Sequence, residues 1–206
     1  MIFERYYILI SLILIAGSLA LVFARLDKRR TGVRRITLIA VMTALSIVGR
    51  FIFASLPAFK PVSAIVILTG VYLGGEAGFL VGSLSAFLSN FYFGQGPWTP
   101  FQMTALGIIG LLAGIFFQKR SFKSAVFRRI IISIYAAVSG VFYSLFLDTW
   151  TMIWTYGSLN GPGYLAAVLA AVPYTALYVV SNVSFFILLD IPFGKRLGRI
   201  ITKYKI

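Results

Sequence analysis

The chain has 206 residues, 60 % of them hydrophobic and only 12 % charged, against about 25 % charged in an ordinary globular domain. Nineteen Lys and Arg oppose 5 Asp and Glu, giving a formal net charge of +14. This balance excludes a soluble fold, and the lack of any Cys or His excludes disulfides, thiolate chemistry, imidazole bases and the commonest zinc ligands.

Seven apolar segments are expected, in chain order: Tyr6–Ala24, Ile36–Leu56, Val62–Gly74, Gly78–Phe93, Phe101–Gln118, Ile130–Leu147 and Tyr164–Ile191. The first does not read as a signal peptide. Only Glu4 and Arg5 precede it, and its heavy basic flank follows it, as for a retained span. That flank is the first of three basic clusters: Arg25, Lys28, Arg29, Arg30, Arg34 and Arg35. Lys119, Arg120, Lys123, Arg128 and Arg129 form the second, between segments five and six. Lys195, Arg196, Arg199, Lys203 and Lys205 form the third, after segment seven. Clustered cations between apolar runs mark cytoplasmic loops, so the net charge is a topology signal and points to no nucleic-acid partner. The expected layout is a multi-pass membrane protein with the N-terminus outside and the C-terminus cytoplasmic.

Segment three is short. Thirteen residues at about 1.5 Å each reach about 20 Å, against about 30 Å of hydrocarbon. Gly74 to Gly78 read as a tight inner turn, with a re-entrant pair as the alternative to two spans. Pro173 is expected to kink the last helix, which neighbouring helices tolerate in a membrane.

Small residues recur one helical turn apart: Ala40 and Ala44; Gly70 and Gly74; Gly78, Gly82 and Ala86; Gly110 and Gly114. Such stripes let helix backbones approach closely in lipid. Internal packing accounts for most of them, and a stripe used by a partner protein would look the same.

Three loops meet on the non-cytoplasmic side: residues 50–61, 90–100 and 148–163. They are poor in charge and rich in aromatics and amides, as a cup for a medium-sized organic ligand requires. Candidate binding residues are Arg50, Lys60, Asn90, Tyr92, Gln95, Trp98, Gln102, Trp150, Trp154, Tyr156 and Asn160. An aromatic belt at the headgroups is the plainer reading for some of the Trp and Tyr residues. It does not explain Gly94-Gln95-Gly96-Pro97-Trp98-Thr99-Pro100, where two Gly and two Pro restrict the backbone to one shape. Trp98 has the largest apolar surface in that loop, so its loss is expected to weaken binding by about 2 kcal/mol. Arg50 either snorkels outward or meets a ligand phosphate.

Catalytic signals are missing. No P-loop run is present, and the carboxylates Glu4, Asp27, Glu76, Asp148 and Asp190 are scattered. No ionisable group is evident at mid-membrane for proton coupling. The chain reads as one that holds a ligand without reacting with it: not an enzyme, with no cofactor and no metal of its own.

The pattern resembles the S-components, the substrate-binding membrane subunits of energy-coupling factor (ECF) vitamin transporters. Ala40-Val-Met-Thr-Ala44 resembles the family's Ala-x-x-x-Ala stripe that packs on the coupling subunit. The stretches from Gly49-Arg50 to Pro61-Val62-Ser63-Ala64 and from Gly74 to Met103 also resemble the family, the second a subgroup that includes cobalamin-specific members, with Asn90–Met103 as its most specific part. The resemblance covers roughly residues 36–192. It implies an all-α membrane protein: a six-helix bundle over residues 36–206, preceded by an extra transmembrane helix and basic loop in residues 1–35. It also implies partners, namely a transmembrane coupling subunit facing Ala40 and Ala44 and two cytoplasmic ATPases that alone bind ATP. Cobalamin is the transported substrate it suggests. Riboflavin, a queuosine precursor or thiamin would also suit an aromatic cup. A stand-alone secondary transporter and a membrane enzyme are the readings from other classes.

Overall fold

The computed structural model describes residues 32–118, 120–122, 124–156 and 161–204, together with Gly17. The expected span Tyr6–Ala24, apart from Gly17, lies outside the described residues. So do Lys119, Lys123, Asn160, Lys205 and the side chain of Tyr156. The regular structure described is helical: α1 (Val33–Ile52), α2 (Val62–Leu73), α3 (Gly75–Phe93), α4 (Thr99–Phe117), α5 (Ala125–Tyr156) and α6 (Gly161–Tyr204). Four of these, α1, α4, α5 and α6, are long and apolar enough to cross a membrane.

The short segment is the centre of the bundle. Every residue of α2 from Val62 to Val71 is buried, and the helix packs against α1, α3, α4, α5 and α6. A helix that is apolar all round belongs inside protein. Its 12 residues need not match the hydrocarbon thickness, because other helices rather than lipid surround it. The turn into α3 is tighter than expected. Gly74 alone makes it, with φ of 99°, a conformation open to glycine, and α3 starts at Gly75.

Glycines bring α2, α3 and α4 into backbone contact. A Cβ on Gly110 would collide with the backbone of Gly78, one on Gly82 with Leu106, one on Gly114 with Gly75, and one on Gly70 with Gly110. These stripes therefore pack internally. The stripe on α1 does not. Its buried face is Ile39, Met42, Thr43, Ser46 and Gly49, while Ala40 and Ala44 are exposed beside Val41, Leu45 and Val48.

Both last helices outrun their expected bounds. α5 starts inside the second basic cluster and reaches Tyr156, and its 32 residues span about 48 Å. α6 has 44 residues, about 66 Å, and runs through Pro173 and Pro192 to Tyr204. Most of the third cluster therefore lies on helix rather than on loop. Lys and Arg are good helix formers, and cations suit a helix C-terminus, so a basic tail can continue a spanning helix.

Described members of the three clusters meet at one end of the bundle. Arg35 Nη2 donates to the Leu73 carbonyl at 3.4 Å and pairs with Glu76 at 3.6 Å, joining the start of α1 to the α2–α3 turn. Arg34 lies over the Tyr204 ring at 4.8 Å. Arg128 and Arg129 of α5 pair with the buried Asp190 of α6 at 3.1 and 3.3 Å, and Arg128 also donates to Tyr72 Oη at 2.9 Å.

Candidate functional site

At the other end, where α1 finishes and α2 begins, lies a cavity of about 100 Å³. α1 contributes Arg50 to its wall, and the following loop contributes Ala58 and Lys60. Val62 and Ser63 come from α2, and Gln102 and Leu106 from α4. Tyr143 of α5 and Tyr178 and Asn182 of α6 complete it. Pockets for drug-sized ligands measure roughly 300–1,000 Å³, so a ligand of that size fits only after the roof moves.

That roof is the α1–α2 loop. Phe53 and Phe59 pin it to Phe185 of α6, with ring centroids at 4.9 and 5.0 Å. Ala58 takes a φ of 56°, uncommon for a residue with a Cβ. Gly49 lies so close to Pro61 that a Cβ there would collide with the proline ring.

Arg50 is half-buried and fixed from behind. Its Nη1 donates to Asn90 Oδ1 at 2.8 Å and to Ser89 Oγ. Asn90, only 1 % exposed, donates through Nδ2 to Gln102 Oε1 at 2.8 Å and Thr99 Oγ1 at 2.9 Å. Thr99 donates to Gln95 Oε1 at 2.9 Å, and Gln95 Nε2 closes the chain on the Phe87 carbonyl at 2.8 Å. Buried networks of this kind rigidify what they connect. This one ties the loop after α3 to the guanidinium in the cavity wall.

Both cations lie over the Phe93 ring. The Arg50 guanidinium is 4.6 Å and the Lys60 ammonium 5.6 Å from its ring centroid. Burial first, and the neighbouring Arg50 charge second, hold the Lys60 ammonium below the usual lysine range. Tyr143 and Tyr178 meet edge to face at 5.1 Å across the cavity wall.

The structure divides the expected site residues. Arg50, Lys60 and Gln102 line the cavity. Asn90 stands one hydrogen bond behind Arg50, and Gln95 stands two further back through Thr99. Tyr92 is 73 % exposed and packs edge-on against Phe51. Trp98 folds its ring over Gly96, away from the cavity lining. Trp150 is buried, stacked on Trp154 and packed against Phe101, again outside that lining. Tyr143, Tyr178 and Asn182 were not expected in the site. They sit inside long apolar segments, where polar groups facing the bundle interior are the available signal.

Residues 34–202 match the family described as ECF transporter, substrate-specific component. The chain belongs to this family. Similar curated proteins include a UPF0397 protein of Aliivibrio fischeri strain MJ11 and one of Aliivibrio salmonicida strain LFI1238. Each is 28 % identical over 129 residues, covering 56 % of this chain and 70 % of the relative. No solved structure matches. This S-component is thus a multi-pass membrane protein with a substrate-binding role in transport. S-components are transporter subunits rather than enzymes, and in general they work with a transmembrane coupling subunit and ATPases.

Proposed function

We propose that this S-component captures a vitamin or vitamin precursor at the outer face of a prokaryotic plasma membrane, and that the cavity roofed by residues 53–61 is where it binds. The observation that carries this reading is the polar cavity at the end of the bundle opposite the basic clusters. The positive-inside rule makes the basic end cytoplasmic, which turns the cavity outward. Arg50, Lys60 and Gln102 would touch the ligand, joined by Tyr143, Tyr178 and Asn182. Asn90 and Gln95 would hold them in position, and Tyr92, Trp98, Trp150 and Trp154 would contribute only to a wider mouth. The exposed Ala40–Ala44 face of α1 would dock on the coupling subunit, and two ATPases bound to that subunit would supply the energy.

Cobalamin carries a phosphodiester that the two cations suit, and the run Asn90–Met103 favours it. It is also far larger than the cavity, so a smaller vitamin asks for less opening of the roof. Mass spectrometry of small molecules that co-purify with the protein tests the reading. A vitamin retained at near one copy per chain supports it. Uptake by vesicles that hold this chain alone, driven by a proton or sodium gradient, would overturn it.

A further inference from the structure

The cavity wall is rich in donors and positive charge. Arg50 and Lys60 both line it, and no carboxylate does. Among the described residues, neither cation makes an ion pair. Arg50 spends Nη1 on Ser89 and Asn90 behind it, and the guanidinium has further N–H groups for the cavity it lines. Gln102 already uses Oε1 to accept from Asn90, which leaves its amide nitrogen as the donor. Val62 and Ser63 are the first two residues of α2 and line the cavity too, so the positive end of that helix dipole faces the same space. Two like charges share the Phe93 ring in a part-buried site, and among the described residues no carboxylate pairs with either.

We propose that the cavity recognises its substrate through an anionic group, a carboxylate or phosphate, held between Arg50 and Lys60. This rests on the substrate-capture reading and adds the chemical class. An anion there relieves the repulsion between the two cations and accepts charge-assisted hydrogen bonds, the stronger kind. The cavity takes such a group with little else. The rest of the molecule lies under the loop, beside Tyr143 and Tyr178.

Calorimetry on the full chain in maltoside detergent, with pairs of related probes that differ by an anionic group, tests this. The pairs are thiamin and thiamin monophosphate, pyridoxal and pyridoxal 5′-phosphate, riboflavin and its 5′-phosphate, panthenol and pantothenate, biotinamide and biotin, and cobinamide and cobalamin. In the pair that binds, the anionic member is expected to bind at least about tenfold tighter, in keeping with hydrogen bonds to charged groups. Lys60→Gln and Arg50→Gln should each erase most of that preference, read as the ratio of the two probes' affinities for the same variant. Lys60 lies in the loop, so its variant remains informative if Arg50→Gln disturbs the Asn90 network, and melting curves report on both. A probe lacking the anionic group that binds as tightly as its partner overturns the anion assignment and leaves capture intact. If no pair binds, the capture reading falls and this one with it. The same protein in nanodiscs with and without phosphatidylglycerol separates the sources of the anion. If that lipid displaces the probe from wild type but not from Lys60→Gln, the anion is a headgroup and the substrate assignment is overturned.

Discussion

Ser181 of α6 grips the backbone of Lys60 from both sides. Its Oγ accepts from the Lys60 N–H at 2.9 Å and donates to the Lys60 carbonyl at 2.9 Å. One buried hydroxyl thus closes the roof of the cavity onto a helix 121 positions away in sequence. Each bond contributes about 1 kcal/mol net, so the latch is strong enough to hold and weak enough to release.

Ser181→Ala removes both bonds. The roof is expected to open more readily, and ligand dissociation to speed up by about tenfold, the effect of about 1.4 kcal/mol. Stopped-flow release of bound vitamin measures this. An unchanged off-rate, with the protein still folded, means the roof is not the gate.

The small-residue stripes divide into two experiments. Gly110→Leu pushes a side chain into the backbone of Gly78 and should cost more than about 3 kcal/mol, or prevent folding. Ala40→Leu and Ala44→Leu enlarge an exposed face and should leave the melting temperature and vitamin affinity unchanged. Uptake by cells that also hold the coupling subunit and ATPases should nevertheless collapse, because docking in lipid depends on close backbone approach. Normal uptake in both Ala variants would clear α1 of any role in coupling.

Much of this division was within reach of the sequence, and part was not. Spacing alone marked Ala40–Ala44 and Gly78–Gly82 as equivalent, because a period of four residues says that a face is flat and not which way it points. Hydropathy found α2 but could not say that its shortness means full enclosure. Cluster spacing placed the cations at one end, and the pairing of Arg128 and Arg129 with Asp190 brings α5 and α6 together there. Arg50 and Lys60 stood out as cations in apolar surroundings. Tyr143, Tyr178 and Asn182 did not, because their place in the cavity depends on how α5 and α6 rotate in the bundle. The Trp residues drew attention by size, yet their rings pack on Gly96, Phe101 and each other.

Asp190 is a buried acid at the basic end, about 5 % exposed, and shared by Arg128 and Arg129. Asp190→Asn keeps the shape and removes the charge. Both arginines are more exposed than the acid and can turn to water, so the expected loss is about 1–3 kcal/mol, below that for stranding a fully buried charge. Thermal melts in detergent check it. The variant should keep its vitamin affinity, since the cavity is at the other end. A loss of affinity without a loss of stability would reveal coupling between the two ends.

Lys60 gives the binding a pH dependence. Burial and Arg50 lower its pKa, so as pH rises it loses its proton earlier than an ordinary lysine near 10.4. Affinity for an anionic vitamin should hold at neutral pH and fall as pH climbs through that lowered value. Arg50 on α1, Tyr143 on α5 and Tyr178 on α6 share its cavity. Arg50→Gln removes the second cause and leaves the first, so the fall should move part of the way back toward higher pH. A fall that stays at the same pH in that variant rules out Lys60 as the titrating group.

Trp98 and Gln102 test where the site ends. Both belong to the stretch around the start of α4, and sequence alone favours Trp98 for its size. The structure puts the Trp98 ring on Gly96 and leaves it 38 % exposed, while Gln102 lines the cavity and receives the Asn90 hydrogen bond at 2.8 Å. Trp98→Ala is therefore expected to change vitamin affinity by less than about threefold. Gln102→Ala removes a donor from the cavity wall and should weaken affinity by roughly tenfold, the loss of about one hydrogen bond to a charged group, while the Asn90 amide left short of a partner shows separately as lower stability. Calorimetry with the co-purifying vitamin ranks the two. If Trp98→Ala proves the costlier change, the ligand reaches out of the cavity and over residues 94–100, and the binding surface is the wide aromatic cup rather than the pocket beneath the Lys60 roof.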